Sequence, residues 1–361
     1  MDTVFRVVAV IIGALGVFYY FRSIVRVMLI NRREPDFVEI SARTAAVSFI
    51  YSLIGKDSDY ARTQRLQAWV LPVFIFICVV CWFLLVQMSF TFILWGLRLE
   101  PGFPEDFSSS GSALSTLGYK TPSYLPGQYL AIFEAGIGLA VVILLFTFVP
   151  GYQAAVQARE RKVGWLYART GRRPTTSSLL EALHRTGHLK DDSVWEEWES
   201  WFRGVFETHS IAPILAYVPS IYRGASWVGA AAAVLDSASL FAACLHDKDT
   251  ESARICRRIG TVCLKYIAVE LNPHTPADAW STQSVDPKLI AAFDTLYDRL
   301  VEIGLPVKSD RDECRSHFVR LRAEFEESIR LIAKSTCMPV DEPWILPHAH
   351  TKPDPTPPKP A

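Results

Sequence analysis

The chain has 361 residues, half of them hydrophobic, and its 37 lysines and arginines equal its 37 aspartates and glutamates in number. With no basic surplus to neutralise phosphates, nucleic acid is excluded as an expected partner, and a mean hydropathy above zero is high for a wholly soluble protein. The length allows about two to three domains.

Val4 to Tyr20 is apolar except for Arg6, and Arg22, Arg26, Arg32 and Arg33 follow it. At ~1.5 Å per residue about 20 residues span the hydrocarbon, so this run with its flanks is long enough to cross. Its positive charge comes after the apolar part, the reverse of a cleaved signal, so a retained helix is expected within residues 1–34. Residues 35–67 read as a cytoplasmic linker carrying Arg43, Lys56, Arg62 and Arg65. Within it Thr44 to Ile54 is too short to cross and reads as an interfacial or buried amphipathic piece. Leu71 to Trp95 is uncharged and aromatic-rich, a predicted span with Trp82 and Trp95 as interface anchors and Pro72 harmless in the first turn. Cys78 and Cys81 fall in that apolar run, which favours small buried hydrophobes over a metal or redox pair.

The chain is organised around Phe103 to Val149, within a module expected over residues 68–152. Phe107 to Leu114 predicts a short helix, Ser115-Thr116-Leu117-Gly118-Tyr119-Lys120 an irregular loop, and Tyr129 to Phe148 a membrane helix. Irregular backbone at membrane depth persists only where it is buried in protein or lines a watery cavity, which makes the loop a pore-lining candidate. The plainer alternative is a glycine-containing turn outside the membrane.

Phe107 to Tyr152 resembles the pore module of the potassium-channel superfamily, in which a pore helix leads into a Thr-Val-Gly-Tyr-Gly filter. Thr116, Leu117, Gly118 and Tyr119 match that motif position by position, with Leu for Val; Lys120 stands where the second glycine belongs, and Thr121-Pro122 follow. More loosely, the layout resembles bacterial two-pore-domain-like channel proteins with a helical cytoplasmic region. The resemblance implies that four loops present backbone carbonyls to a monovalent cation, K+ first among them, in a homotetramer. It also implies that Ser112, Ser115, Glu134, Gly136 and Gly138 support the filter from the two adjoining helices. A carboxylate inside a span is a functional candidate by default, the alternative for Glu134 being a place among the headgroups. Gly136 and Gly138 allow either a bend or close packing, and close packing is the more ordinary role.

Arginines and lysines crowd the segment after the first span and the segment Arg159 to Arg173, whereas Arg98 to Gly127 offers only Arg98 and Lys120. The positive-inside rule then places the amino terminus and the loop outside and the carboxyl region in the cytoplasm of a cell or inner membrane. The expected class is an all-α membrane protein: three transmembrane helices, one re-entrant pore helix with its filter loop, and a cytoplasmic α-helical domain.

That domain is expected over residues 153–337, with helices at Gln153–Tyr167, Ser177–Leu189, Ser193–Phe206, Trp227–Cys244, Thr250–Leu271, Pro287–Ile303 and Ser309–Lys334. Ser193 with Glu196, and Ser309 with Asp312, read as helix starts, while Trp195, Trp198, Phe202 and Val205 form one apolar face. Ile211 to Cys244 tempts a fourth crossing, but Pro213, Pro219, Arg223 and Asp236 divide it, so it reads as the buried centre of the bundle. Residues 338–361 are proline-rich and read as a disordered tail.

No nucleotide or hydrolase motif appears, and no enzyme chemistry, cofactor or metal is expected. His184 and His188 are spaced four apart but lack a third ligand, so they read as a solvated face, as do Glu196, Glu197 and Glu199. His348 and His350 lie in the tail. Two readings follow: a cation channel, or a non-conducting scaffold or sensor that presents its helical domain to partners. Lys120 weighs between them. A non-glycine residue forced to positive φ costs on the order of 1–3 kcal/mol, and a ring of four lysines opposes an approaching cation by roughly 2–7 kcal/mol unless the side chains splay into solvent.

Overall fold

The structure is a computed structural model that describes residues 2–30, 34–55, 59–170, 174–189, 191–245, 251–275 and 287–338. The described residues are helical, without a strand; Leu245 and Val307 form an isolated bridge. In chain order the helices are α1 (Asp2–Ile24), which runs on through a π-helical turn Val25–Leu29, α2 (Phe37–Ser52), α3 (Tyr60–Gln67), α4 (Val70–Gly96), α5 (Phe103–Leu114) and α6 (Leu125–Thr170). There follow α7 (Thr176–Arg185), α8 (Asp192–Ile211), a 3-10 turn Pro213–Tyr217, α9 (Trp227–Cys244), α10 (Glu251–Leu271), α11 (Pro287–Glu302), α12 (Arg311–Ala323) and α13 (Glu326–Ser335). Four of these segments are long and apolar enough to cross a membrane: Asp2–Leu29, Tyr60–Gly96, Leu125–Thr170 and Trp227–Cys244. The chain forms two compact units, Met1–Ser52 with Trp69–Ala154, and Leu53–Ala68 with Ala155–Ala361.

In the first unit α4 is the central element. Phe74, Cys78, Trp82, Val86, Phe90 and Leu94 recur every fourth residue and are buried, while Phe76, Val80, Leu84 and Met88 recur at the same spacing and are exposed. An apolar edge left bare on an apolar helix suits lipid or a further protein surface. Helix α1 packs on α4 through small residues, with Gly13 and Gly16 against Ser89 and Gly96 against the backbone of Arg6. Close backbone approach of this kind holds helices together even where lipid would supply no hydrophobic drive between them. Trp82 Nε1 donates to Ser23 Oγ at 3.0 Å, and Ser23 Oγ donates to Asp36 at 2.8 Å, tying α4 to α1 and to the start of α2.

Several boundaries differ from the sequence reading. The short piece expected at Thr44–Ile54 is the sixteen-residue α2, packed on α4. Helix α5 starts at Phe103 rather than Phe107, because Pro104 sits in its first turn, where no intrahelical donor is lost. The helices expected at Tyr129–Phe148 and Gln153–Tyr167 are one continuous α6 that passes through Pro150. A proline inside a helix removes one donor and crowds the preceding turn, at a cost of about 3 kcal/mol, and the helix runs on here despite the weak formers Val149 and Gly151 beside it. Asp191 caps α8 by accepting the Ser193 amide at 3.0 Å, and Asp310 caps α12 by accepting the Glu313 amide at 2.9 Å. Ser193 and Ser309 therefore do not cap; at each start a carboxylate that also answers the helix dipole takes the place. A capping box forms instead at Thr175 and Ser178. The single helix expected over Ser309–Lys334 breaks at Phe325, which joins α12 to α13 and is fully buried.

The second unit is a bundle around α9, every residue of which is buried. Its one charge, Asp236, accepts from Arg322 Nε at 2.9 Å, and Arg322 also meets Glu326 at 2.9 Å. A charge this deep persists only when so paired. Trp195, Trp198, Phe202 and Val205 of α8 are buried on one face. Arg159 of α6 is buried too: it donates to Glu160, to the Leu215 carbonyl at 3.0 Å and to the Val218 carbonyl at 2.8 Å, and stacks on Trp227. Helix α3 belongs to this unit, so residues 35–67 divide between the two. Gln64 holds the 220–225 loop, donating to Ala225 at 2.7 Å and accepting from the Gly224 amide at 2.8 Å.

Candidate functional site

Helix α5 is short, and its middle is serine and glycine, which lets it lie close to its neighbours. A Cβ at Gly111 would meet the Gln87 side-chain amide, which can swing aside, whereas one at Gly138 of α6 would strike the Leu114 backbone carbonyl, so it is Gly138 whose contact needs glycine. Gly136 faces open space. Gln87 Nε2 donates to the Phe107 carbonyl at 3.3 Å. The Ser110 hydroxyl lies 2.5 Å from Glu134 Oε1 and 3.0 Å from the Gln87 carbonyl, bridging α6 and α4. Glu134 of α6 is buried, its carboxylate against Ser110 of α5.

The loop after α5 closes in a definite way. Ser115 is the C-cap, Thr116 adopts φ 57°, and the Thr116 amide donates to Ala113 O at 2.9 Å and the Leu117 amide to Ser112 O at 3.1 Å. This is a Schellman closure, but with a β-branched residue in the left-handed position that glycine usually fills. Gly118 takes φ 67°, and its amide reaches the same Ser112 carbonyl at 3.3 Å. The Lys120 amide then donates to the Ser112 hydroxyl at 3.0 Å. Tyr119 is pinned by its phenol, 2.9 Å from Ser108 Oγ. The Ser115 hydroxyl bonds back to the Gly111 carbonyl at 2.5 Å.

The consequence is directional. In a planar trans peptide the C=O points opposite to the N–H. The amides of 116, 117, 118 and 120 turn back onto α5, so the carbonyls of Ser115, Thr116, Leu117 and Tyr119 turn outward. None of those four oxygens accepts a hydrogen bond among the described residues. Residues 115–119 are exposed, Leu117 at 72 %. The loop offers a short edge of unmet acceptors.

Lys120 does not occupy the positive-φ conformation expected of it; the strain sits at Thr116 instead. The reason is the Schellman closure, which places the left-handed residue directly after the helix. Lys120 is half-buried and, with Arg6, acts on the nearby carboxylate of Asp106. Asp106 is buried with neither oxygen bonded.

Sequence reasoning passed over Gln87, Ser108, Ser110 and Asp106. Gln87 carried a legible signal, being the one amide in Leu71–Trp95, and a polar group in an apolar helix turns toward protein. Elsewhere, His184 and His188 are both exposed, and His188 lies past the end of α7, so the helical spacing between them is not realised. Glu197 pairs with Lys162 and Glu199 with Arg203. Cys78 is buried and Cys81 half-buried, both as free thiols. Among the described residues no group of His, Cys, Asp and Glu is arranged to hold a metal ion. His348 and His350, and the tail from 339 onward, lie outside the described residues. No family model, curated protein or solved structure matches the chain.

Proposed function

We propose that the chain is a channel-type membrane protein in which four copies of the 115–120 loop surround a monovalent cation, potassium first among them. In this reading α1, α4 and α6 cross the membrane and α5 enters it without crossing. The amino terminus and the loop lie outside, and the carboxyl-terminal bundle lies in the cytoplasm of a cell or inner membrane. Helix α9 stays within that bundle, since a helix buried on all sides has no face to give to lipid. The observation that carries the proposal is the set of four carbonyls turned away from α5 by amides anchored on Ser112. Carbonyl oxygens replace a cation's hydration shell, and one loop cannot enclose an axis, which is why a homotetramer is required.

Potassium flux into liposomes holding the purified protein is the test. Flux above empty liposomes, lowered in Ser112→Ala, supports the reading; a monomer in several mild detergents with no flux sinks it.

A second reading, a non-conducting scaffold or sensor, rests on a specific feature. The turn at Thr116 closes α5 as a helix-terminating Schellman motif, and a lysine follows at the outer end, so the carbonyl edge is short and carries one positive charge per copy. A stable tetramer that stays silent in the flux assay favours this reading.

A further inference from the structure

The second unit contains a groove that cation conduction does not use. Helices α10 and α12 each pack on α9, and between them opens a cavity of about 180 Å³. Ala242 of α9 and Leu321 of α12 give it an apolar part, while Arg254, Arg257 and Arg258 of α10 and His317 of α12 line the rest. The three arginines stand three and four residues apart, which sets them on one helix face.

Like charges crowded on one face repel, so such a cluster calls for anions. Glu324 takes Arg257 Nη1 at 2.8 Å, and Glu251, at the rim, comes within 4.0 Å of Arg254. Arg258 is exposed and has no ion pair among the described residues. Arg257 Nε is buried and has no acceptor among the described residues. An unmet buried donor is costly, and on a guanidinium more so, unless an acceptor arrives. The positive field is felt by His317, whose pKa is lowered by burial and then by Arg320, Lys308, Arg254 and Arg257.

We propose that this groove binds the phosphate group of a small ligand, with the guanidinium groups of Arg254, Arg257 and Arg258 as donors and the Ala242–Leu321 wall against its apolar part. Guanidinium forks match phosphate oxygens two at a time, which lysines cannot do. A soluble phosphate ester and the headgroup of an anionic phospholipid share this chemistry.

The test uses the full chain in nanodiscs of phosphatidylcholine, titrated with pyrophosphate in a calorimeter. Binding should weaken about tenfold in Arg258→Gln and in Arg254→Gln, the loss of one charged hydrogen bond, and should weaken with added salt. Arg203→Gln, which removes an exposed arginine of α8 paired with Glu199, should bind like the parent. Discs containing phosphatidylglycerol separate the two sources. Pyrophosphate binding unchanged there assigns the groove to a soluble ligand, and binding lost there in the parent assigns it to a headgroup. The proposal is overturned if pyrophosphate does not bind in phosphatidylcholine discs and phosphatidylglycerol raises the melting temperature of parent and Arg258→Gln equally or not at all. It is also overturned if pyrophosphate binds parent, Arg254→Gln and Arg258→Gln alike.

Discussion

Ser112 and Lys120 are joined by a 3.0 Å hydrogen bond in which the lysine amide donates to the serine hydroxyl. The Ser112 carbonyl, one peptide away, receives the amides of Leu117 and Gly118. One residue at the end of α5 thus sets the direction of most peptides in the loop. Ser112→Ala should free the Lys120 amide at a cost of about 0.5–1.5 kcal/mol and lower potassium flux in liposomes. Ser115→Ala, which removes a hydroxyl bonded back to the Gly111 carbonyl at 2.5 Å and only weakly, at 3.5 Å, to that of Ser112, should leave flux near that of the parent. Equal effects from the two would remove Ser112 from its special place.

Charge, not backbone strain, is what Lys120 brings to the loop. Its φ is already negative, so Lys120→Gly relieves nothing, and Lys120→Gln should raise potassium flux as much as Lys120→Gly does. The gain should shrink at ~1 M salt, where the Debye length falls to about 3 Å. A larger gain for glycine than for glutamine would restore the backbone account.

Strain at Thr116 is measurable separately. Thr116→Gly should stabilise the assembled protein by about 1 kcal/mol per copy, since a left-handed residue gives up its penalty, and Gly118→Ala should destabilise it by a similar amount. Thermal melting of the detergent-solubilised protein checks both signs.

Gly136 and Gly138 sit two residues apart and should behave oppositely. Gly138→Ala drives a Cβ into the Leu114 carbonyl and should cost about 1–3 kcal/mol while reducing flux. Gly136→Ala meets nothing and should gain up to about 1 kcal/mol from helix propensity, with flux preserved. Matching losses in the two variants would show that bending, not packing, matters here.

In the second unit, His209 makes stability depend on pH. Its Nε2 lies 3.2 Å from Arg159 Nη1, which can only donate, so Nε2 accepts and Nδ1 donates to Thr208 Oγ1 at 3.0 Å. Burial, and then the Arg159 charge, hold its pKa well below the usual histidine value. Below about pH 6.5 the unfolded chain takes up the proton and the folded one does not. Stability is therefore present above that pH and falls as pH drops, by at most ~1.4 kcal/mol per unit from this group. Urea unfolding followed by tryptophan fluorescence from about pH 8 to about pH 5 should show a shallower slope in His209→Gln than in the parent. Parallel curves would place the pH dependence elsewhere.

Much of the architecture is written in short-range pattern. The apolar runs, the helical stripe from Trp195 to Val205 and the turn residue Gly118 each depend on neighbours within a few positions, where composition and period speak directly. The same is true of Pro213 and Pro219, which mark the irregular stretch before α9. Other features were decided only when distant segments met. Whether Thr116 or Lys120 bears the left-handed backbone depends on how α5 closes onto Ser112, and Gly138 is needed only because Leu114 lies across it. Arg254 and His317 are more than sixty residues apart in sequence and share a groove because α10 and α12 both lean on α9. Local sequence fixes which backbone conformations are cheap; which of them is used, and which side chains share a site, follows from packing that brings far residues within a few ångströms.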